Sequence, residues 1–233
     1  MTAEVLMPIF GLFVLFIVSI RAEQCLPSSL HKNTSSPATK DYAECNAWSK
    51  DTCCTADFTE KLNKTRTREL YGFHWGHCKN ISKKCEQFLI DEECFYSCEP
   101  RLIRWHHTNA PVNPSVKGVP ICGNYCDDWY EACKDDETCV KDWQIGFDYT
   151  NTTYTCPKDA TCSTFKQMYG SGKELCNTMW GQSFLYVDPK CPCSRMDGPI
   201  PGNVNETSTC SASSRMTLFS AFSLLILIGI NLC

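Results

Sequence analysis

Nineteen of the 233 residues are cysteine, and this density constrains the fold more than any other feature of the chain. About one cysteine in twelve residues is typical of exported proteins held together by disulfide bonds, because the cytosol keeps thiols reduced. The net charge of −4 provides no electrostatic footprint for nucleic acid, and the 43% hydrophobic content excludes a disordered chain. We therefore expect an extracellular, disulfide-rich protein with no nucleic-acid partner.

The N-terminal segment has the pattern of a secretory signal peptide. Residues Val5 to Ile20 are apolar apart from Ser19, and the small Ala22 follows at the position of a cleavage site. The apolar run is shorter than the ~20 residues that a membrane-spanning helix needs. We expect residues 1–22 to be removed as a signal peptide.

The C-terminal segment has the pattern of a signal for a glycosylphosphatidylinositol anchor. Leu218 to Leu232 is largely apolar, and no basic cytoplasmic flank follows it, as it would after a spanning helix. We predict a stalk over residues 197–211, anchor attachment at Ser211 and removal of residues 212–233; a single-span protein is the alternative. Removal of the tail takes Cys233 and leaves eighteen cysteines to pair.

Five sequons of the form Asn-x-Ser/Thr support passage through the secretory route. A single sequon arises by chance, but five together with a signal peptide favour a glycosylated product whose sequon segments lie at the surface. The expected glycosylation sites are Asn33, Asn63, Asn80, Asn151 and Asn205.

Residues 25–196 are long enough for a single domain with its own core. Apolar residues recur at helical spacing from Cys122 to Cys133, with acidic residues on the opposite face. The sequence also predicts helices over Ser82 to Cys98, Ser171 to Trp180 and Thr55 to Leu62, and a short strand over Ser183 to Val187. Ser171 and Glu174 have the spacing of a capping box. We predict an α+β fold, rich in helices and loops and tied by disulfide bonds.

Metal and catalytic chemistry find little support in the sequence. The close cysteine pairs, Cys94 with Cys98 and Cys122 with Cys126, are separated by three residues, whereas zinc sites usually show Cys-x2-Cys or Cys-His groupings. Asp127 and Asp128 fit a solvated helix face, and neither a phosphate-binding glycine loop nor a nucleophile elbow occurs. We expect no metal, no cofactor and no enzymatic activity.

Aromatic residues cluster in four places along the chain. The groups centre on Tyr71 to Trp75, Phe95 with Tyr96, Trp143 to Tyr149, and Trp180 with Phe184. Part of each group belongs to a core. The excess of Trp and Tyr also suits a concave pocket for a flat heteroaromatic ligand, where ring stacking adds ~0.5–1.5 kcal/mol per pair beyond burial.

Several ordered motifs carry a resemblance to a known family. They include Trp75-Gly-His-Cys78, Glu93-Cys-Phe-Tyr-Ser-Cys98, Cys126-Asp-Asp-Trp-Tyr-Glu-Ala-Cys-Lys134 and Met179-Trp-Gly-Gln-Ser-Phe184. Together they resemble the folate receptor and riboflavin-binding protein family, and the likeness extends over nearly the whole of residues 25–196. The last two motifs look closer to the riboflavin-binding branch.

The resemblance implies a disulfide framework. Carried over cysteine by cysteine, it pairs Cys25 with Cys53, Cys45 with Cys94, Cys54 with Cys98, Cys78 with Cys162, Cys85 with Cys133, Cys122 with Cys193, Cys126 with Cys176, and Cys139 with Cys156. Cys191 and Cys210 then resemble an additional bridge of riboflavin-binding proteins.

The resemblance also implies a ligand site. In riboflavin-binding proteins the flavin ring is held between two aromatic side chains, whose positions here are Tyr96 and Trp180. We expect further contacts from Tyr71, Trp75, Trp143, Phe147, Tyr149 and Ser183. The function that the resemblance implies is a lipid-anchored, monomeric cell-surface receptor or carrier that binds riboflavin.

Two alternatives stay open. Folate is one, because Glu92 stands where folate receptors carry a ligand-binding carboxylate. The insertion that contacts folate is not evident between Trp105 and Pro120, however, and Gln144 and Ile145 replace polar or basic contacts. The other alternative is a family member that lost vitamin binding and acts in cell adhesion or gamete recognition.

Overall fold

A computed structural model describes residues 22–65, 73–110, 115–150 and 152–207. The helices in these segments are α1 (Ala56–Thr65), α2 (Lys83–Cys98), α3 (Gly123–Cys133), α4 (Phe165–Tyr169) and α5 (Gly172–Thr178). The strands are β1 (His31–Ser36), β2 (Thr52–Cys54), β3 (Val119–Cys122), β4 (Glu137–Thr138), β5 (Asp148–Thr150), β6 (Thr153–Thr155), β7 (Ser163–Thr164) and β8 (Phe184–Val187). Short 3-10 helices cover Asn46–Trp48 and Pro100–Trp105.

The strands pair in twos. β1 pairs antiparallel with β2, β4 with β7 and β5 with β6, while β3 runs parallel to β8. Within the described segments no pair extends into a larger sheet. Helices and disulfide bonds therefore hold the domain together, which confirms the predicted α+β fold.

Helix α2 forms one wall of the site described below. The Ser82 hydroxyl accepts a hydrogen bond from the backbone N–H of Cys85 and caps the first turn. The helix ends before Pro100, because a residue that precedes proline is disfavoured in the helical conformation. Helix α3 packs between α2 and α5, with Tyr125 and Trp129 fully buried at its centre.

Eight disulfide bonds link the described residues. They join Cys25–Cys53, Cys45–Cys94, Cys54–Cys98, Cys78–Cys162, Cys85–Cys133, Cys122–Cys193, Cys126–Cys176 and Cys139–Cys156. These are the pairs that the family resemblance implied. Three of them start on α2, so this helix is tied to three other parts of the chain. The expected Cys191–Cys210 bridge includes Cys210, which lies outside the described residues, and stays a prediction.

The C-terminal helices differ from the prediction. Helix α5 ends at Thr178, two residues earlier than expected, and the chain turns at Gly181 with a positive φ of 57°. The Ser171 hydroxyl accepts from the backbone N–H of Glu174, but the Glu174 carboxylate binds Lys141 at 2.6 Å instead of closing a capping box. A complete capping box occurs at α4, a helix that the sequence analysis missed.

The described sequons are not equally accessible. Asn33, Asn80 and Asn205 are exposed, as expected. Asn63 is half-buried, because its amide donates to the carbonyl of Ala43 and the carboxylate of Glu44, both at 3.3 Å. Asn151 and the expected anchor site Ser211 lie outside the described residues. No helix in the described segments has the length and apolar character to cross a membrane.

Candidate ligand-binding site

A cavity of about 530 Å³ opens beside α2. This volume falls within the ~300–1,000 Å³ of typical small-molecule pockets. Its described lining is aromatic, acidic or small: Pro27, Ser28, Ser29, Phe73, Glu92, Glu93, Tyr96, Val116, Trp143, Gln144, Tyr154, Trp180, Ser183 and Phe184. None of these lining residues is Lys, Arg or His.

Five residues expected at the ligand site lie together around this cavity. Glu92 and Tyr96 come from α2, Trp143 from the loop before β5, and Trp180 and Ser183 from the turn between α5 and β8. Glu92 and Ser183, 91 positions apart in the chain, therefore line the same cavity. Both aromatic positions that the resemblance singled out, Tyr96 and Trp180, belong to it.

Other expected residues lie elsewhere. Trp75 is 3% exposed and belongs to the core, and Phe147 stands behind the wall, with its ring 5.1 Å from that of Phe73. Tyr149 is 60% exposed, because the β5–β6 hairpin places Tyr154 against Phe73 and leaves Tyr149 on the far side of Tyr154. The expected contact residue Tyr71 lies outside the described residues.

The sequence analysis missed several lining residues. They are chiefly Phe73, Glu93, Gln144, Tyr154 and Phe184. Phe73 and Phe184 stood inside the aromatic groups already noted, and Glu93 follows Glu92 directly. Tyr154 had no local signal, since only the pairing of β5 with β6 brings it to the cavity.

The aromatic wall is built from tilted and edge-to-face contacts around Phe73. Its ring centre lies 5.5 Å from that of Trp143 and 5.6 Å from that of Tyr154. The Trp143 and Trp180 rings meet at 5.8 Å and 72°. These distances are typical of attractive aromatic pairs, so the rings stabilise one another's positions. Phe73, Trp143, Tyr154 and Trp180 also line the cavity.

A hydrogen bond joins two sides of the cavity. The side-chain amide of Gln144 donates to the hydroxyl of Ser183 at 2.9 Å. A side chain at position 181 would come within 2.7 Å of the Gln144 amide oxygen, so Gly181 leaves room for this contact and also permits the positive φ. Ser183 therefore reaches the cavity with its hydroxyl already engaged.

Two adjacent carboxyl groups on α2 face the cavity without a counter-charge. Glu92 is 5% exposed and Glu93 is 7% exposed, and neither has a hydrogen-bond or ion-pair partner among the described residues. Burial raises the pKa of Glu93 to about 8, and burial together with the neighbouring Glu93 raises the pKa of Glu92 well above its ordinary range. Both carboxyl groups are therefore shifted toward the neutral, protonated form near neutral pH.

Tyr96 lies one turn further along the same face of α2. The ring of His31 contacts it edge-on at 5.6 Å, and the Nδ1–H of His31 donates to the carbonyl of Leu26 at 2.9 Å. Burial raises the pKa of the Tyr96 phenol and lowers the pKa of His31. Tyr96 is thus in contact with a histidine whose neutral form is favoured.

A histidine supports the hairpin side of the cavity. His77 stacks on Phe147 at 4.2 Å and on His74 at 4.1 Å, and its Nε2–H donates to the carbonyl of Tyr154 at 3.0 Å. Burial lowers the pKa of His77 to about 4. A neutral His77 therefore fixes Tyr154 at ordinary pH.

One cluster of potential metal ligands occurs in the described segments. The sulfur atoms of Cys78, Cys139 and Cys156 lie within 4.8 Å of one another. All three belong to disulfide bonds, Cys78 with Cys162 and Cys139 with Cys156. Metal binding requires thiolates, so this cluster has no ligand to offer while the bridges are intact.

Comparison with known proteins agrees with the cysteine pattern. Residues 24–195 match the model of the folate receptor family. The chain belongs to this family. It is 36% identical to the riboflavin-binding protein of Dromaius novaehollandiae over 173 residues, which are 74% of this chain and 71% of that protein. It is 34% identical to human folate receptor gamma over 165 residues, 69% of this chain and 66% of the receptor.

Family membership therefore places the chain among vitamin-binding receptors and carriers. The two kinds of relative are almost equally similar to it, so overall identity does not separate a flavin from a folate as the ligand. The choice between a flavin and a folate therefore depends on the geometry and charge of the cavity.

Proposed function

We propose that this protein binds riboflavin non-covalently by stacking its flavin ring between Tyr96 and Trp180. The observation that carries the proposal is the composition of the cavity: aromatic walls, two buried acids and no basic side chain among the described lining residues. A flat, uncharged ring system with a hydroxylated chain suits such a cavity. Stacking on two aromatic faces and burial of the ring would supply most of the affinity.

Charge favours riboflavin over folate. Folate ends in a glutamate with two carboxylates, whereas riboflavin is neutral. Carboxylates are normally bound by Arg or Lys, and the described lining supplies neither.

Folate is the second candidate, and one observation supports it. Glu92 lines the cavity at the position that the family resemblance assigns to a pterin-binding carboxylate. An ionised Glu92 could accept hydrogen bonds from the amino group of a pterin. Such binding would have to ionise a carboxyl group that is neutral in the empty site.

We also propose an extracellular receptor or carrier for uptake or storage, without enzymatic activity. The eight disulfide bonds support an exported chain. We further propose that the domain is a monomer held at the cell surface by a lipid anchor at Ser211.

The anchor is tested by treating expressing cells with a phosphatidylinositol-specific phospholipase. The protein should be released from the cell surface, and its retention after this treatment would contradict the anchor.

The ligand assignment is tested by titrating riboflavin into the purified domain while following flavin fluorescence. Stacking on Tyr96 and Trp180 should quench the fluorescence at micromolar ligand. Folic acid, titrated in parallel by calorimetry, should give little heat. Heat with folic acid alone would establish the second candidate, and binding of neither vitamin would reject both and favour the adhesion alternative.

A further inference from the structure

The acidic pair of the cavity, Glu92 with Glu93, can form hydrogen bonds to a ligand that ring stacking on Tyr96 and Trp180 does not involve. Oε2 of Glu93 is fully enclosed and receives no hydrogen bond from the described residues. The oxygens of Glu92, also without a partner in the described segments, remain open to the cavity. Because burying an unpaired carboxylate is costly, such a pair holds its protons. The wall therefore presents a carboxylic acid and no carboxylate.

The pair stands beside the stacking ring. Glu92 and Glu93 precede Tyr96 by four and three residues, a spacing that puts all three on one face of α2. All three line the same cavity. A flat ring stacked on Tyr96 therefore has one edge within reach of the carboxyl groups.

A neutral carboxylic acid and a carboxylate select different ring edges. The acid offers an O–H donor beside a C=O acceptor, whereas the carboxylate only accepts. The imide edge of a flavin carries an N–H donor, N3–H, beside a carbonyl acceptor, and so complements the acid. A pterin has a similar N–H and carbonyl pair at its lactam edge, and in addition an amino group beside a ring N–H, two donors that complement the carboxylate.

We propose that Glu92 and Glu93 act as one proton-holding pair that binds the imide edge of the flavin. The inference rests on the proposed function and adds the groups that recognise the ring edge. Glu92, open to the cavity, makes the contact. Glu93 acts through Glu92, because one buried carboxyl group opposes the ionisation of another beside it.

Tyrosines and a histidine lie around the pair among the described residues. Tyr96 on α2 and Tyr125 on α3 interact with Glu92, and burial raises the pKa of both phenols. Tyr154 faces the cavity from β6, and His31 contacts Tyr96 from β1. Burial lowers the pKa of His31, so the pKa shifts of Tyr96, Tyr125 and His31 all lead away from the interval between about pH 7 and pH 9.

The first test measures riboflavin affinity against pH. In the wild-type protein the affinity should fall about tenfold between about pH 7 and pH 9, because the pair loses a proton that the imide contact needs. The double variant Glu92→Gln/Glu93→Gln keeps a donor and an acceptor without an ionisable group. Its riboflavin affinity should show no fall over the same pH interval. The exposed Glu131→Gln on α3 is the matched control and should follow wild type.

The second test changes the ligand. N3-methylriboflavin keeps the stacking surface but lacks the N3–H donor, and it should bind the wild-type protein at least about tenfold more weakly than riboflavin, as expected for loss of a buried hydrogen bond. Equal affinity for the two flavins, or a pH profile shared by wild type and the double variant, would overturn the inference while leaving flavin binding intact. Failure of riboflavin to bind at all would instead reject the proposed function.

Discussion

Helix α2 and the residue that follows it carry buried acids of two different kinds. Glu99, at the C-terminal end, is 3% exposed and accepts hydrogen bonds from the indole N–H of Trp48 at 3.0 Å and from the backbone N–H groups of Arg101 and Ile200 at 2.9 Å. Glu93, less than two turns earlier, is almost as buried and accepts none from the described residues. Two buried glutamates close together in the chain therefore differ in whether the described residues donate hydrogen bonds to them.

The comparison distinguishes an acid that stabilises the fold, Glu99, from the acids that we propose bind the ligand, Glu92 and Glu93. Three donors converge on Glu99 and join the C-terminal end of α2 to the segment around Ile200, so its carboxylate is part of the fold. Glu92 and Glu93 face open volume, and nothing in the described chain compensates them. Their desolvation lowers the stability of the empty protein, which is the pattern expected where a ligand completes the hydrogen bonds.

The largest predicted effect is the contrast between two isosteric substitutions. Glu99→Gln turns an N–H group toward donors that the carboxylate satisfied, and it should lower the free energy of unfolding by ~2–3 kcal/mol. Glu93→Gln replaces a neutral acid by a neutral amide, and it should leave the stability unchanged or raise it, because the amide need not take up a proton on folding. Thermal unfolding of the oxidised proteins at about pH 7 measures both. Equal destabilisation by the two variants would contradict the distinction.

The second prediction concerns pH. The pKa of Glu93 rises from an ordinary 4.5 to about 8 in the folded protein, so its stabilising contribution is complete below 4.5 and is lost as the pH rises through 8. The melting temperature of the ligand-free protein should therefore increase as the pH falls from about 8 to about 5, by ~4 °C or more if the pair contributes 1–2 kcal/mol.

The double variant Glu92→Gln/Glu93→Gln provides the control for this pH dependence. It should lose most of the slope, because no buried carboxyl group then titrates between folded and unfolded states. A wild-type protein that becomes less stable on acidification over the same interval would show that the pair is ionised when buried.

The smallest predicted effect lies on the side of the cavity away from α2. Gly181→Ala forces a side chain into a positive φ and against the Gln144 amide oxygen, so it should cost ~1 kcal/mol and weaken flavin binding a few-fold. Gly198→Ala is the matched control, since its added carbon would meet nothing within 4 Å. Indistinguishable stability of the two variants would remove the role given to Gly181.

Much of the fold was accessible from local signals. The helical periods from Cys122 to Cys133 and from Ser82 to Cys98 predicted α3 and α2 almost to the residue, because amphipathic spacing is a property of the chain itself. Helix α4 escaped, since its five residues are too few to show a period. The disulfide pairing came from family resemblance, and spacing alone left it open.

The site was predicted where motifs carried it and missed where tertiary pairing decided. Tyr96 and Trp180 followed from their motifs, but Tyr149 was chosen over Tyr154 although only the latter reaches the cavity. The two tyrosines face each other across the β5–β6 hairpin, and the sequence has no signal for which one points inward. The raised pKa of Glu92 depends on its burial and on the neighbouring Glu93, and the burial results from tertiary packing that the sequence of α2 alone does not reveal.

The central claim is that Tyr96 and Trp180 hold a flavin, and quenching titrations with riboflavin test it most directly. Tyr96→Ala and Trp180→Ala should each lose ~2 kcal/mol of binding free energy, about a thirtyfold rise in Kd. Tyr149→Ala removes an exposed aromatic ring outside the cavity and should leave Kd within about twofold of wild type. Unchanged affinity in Trp180→Ala, or a loss in Tyr149→Ala as large as in Tyr96→Ala, would contradict the account.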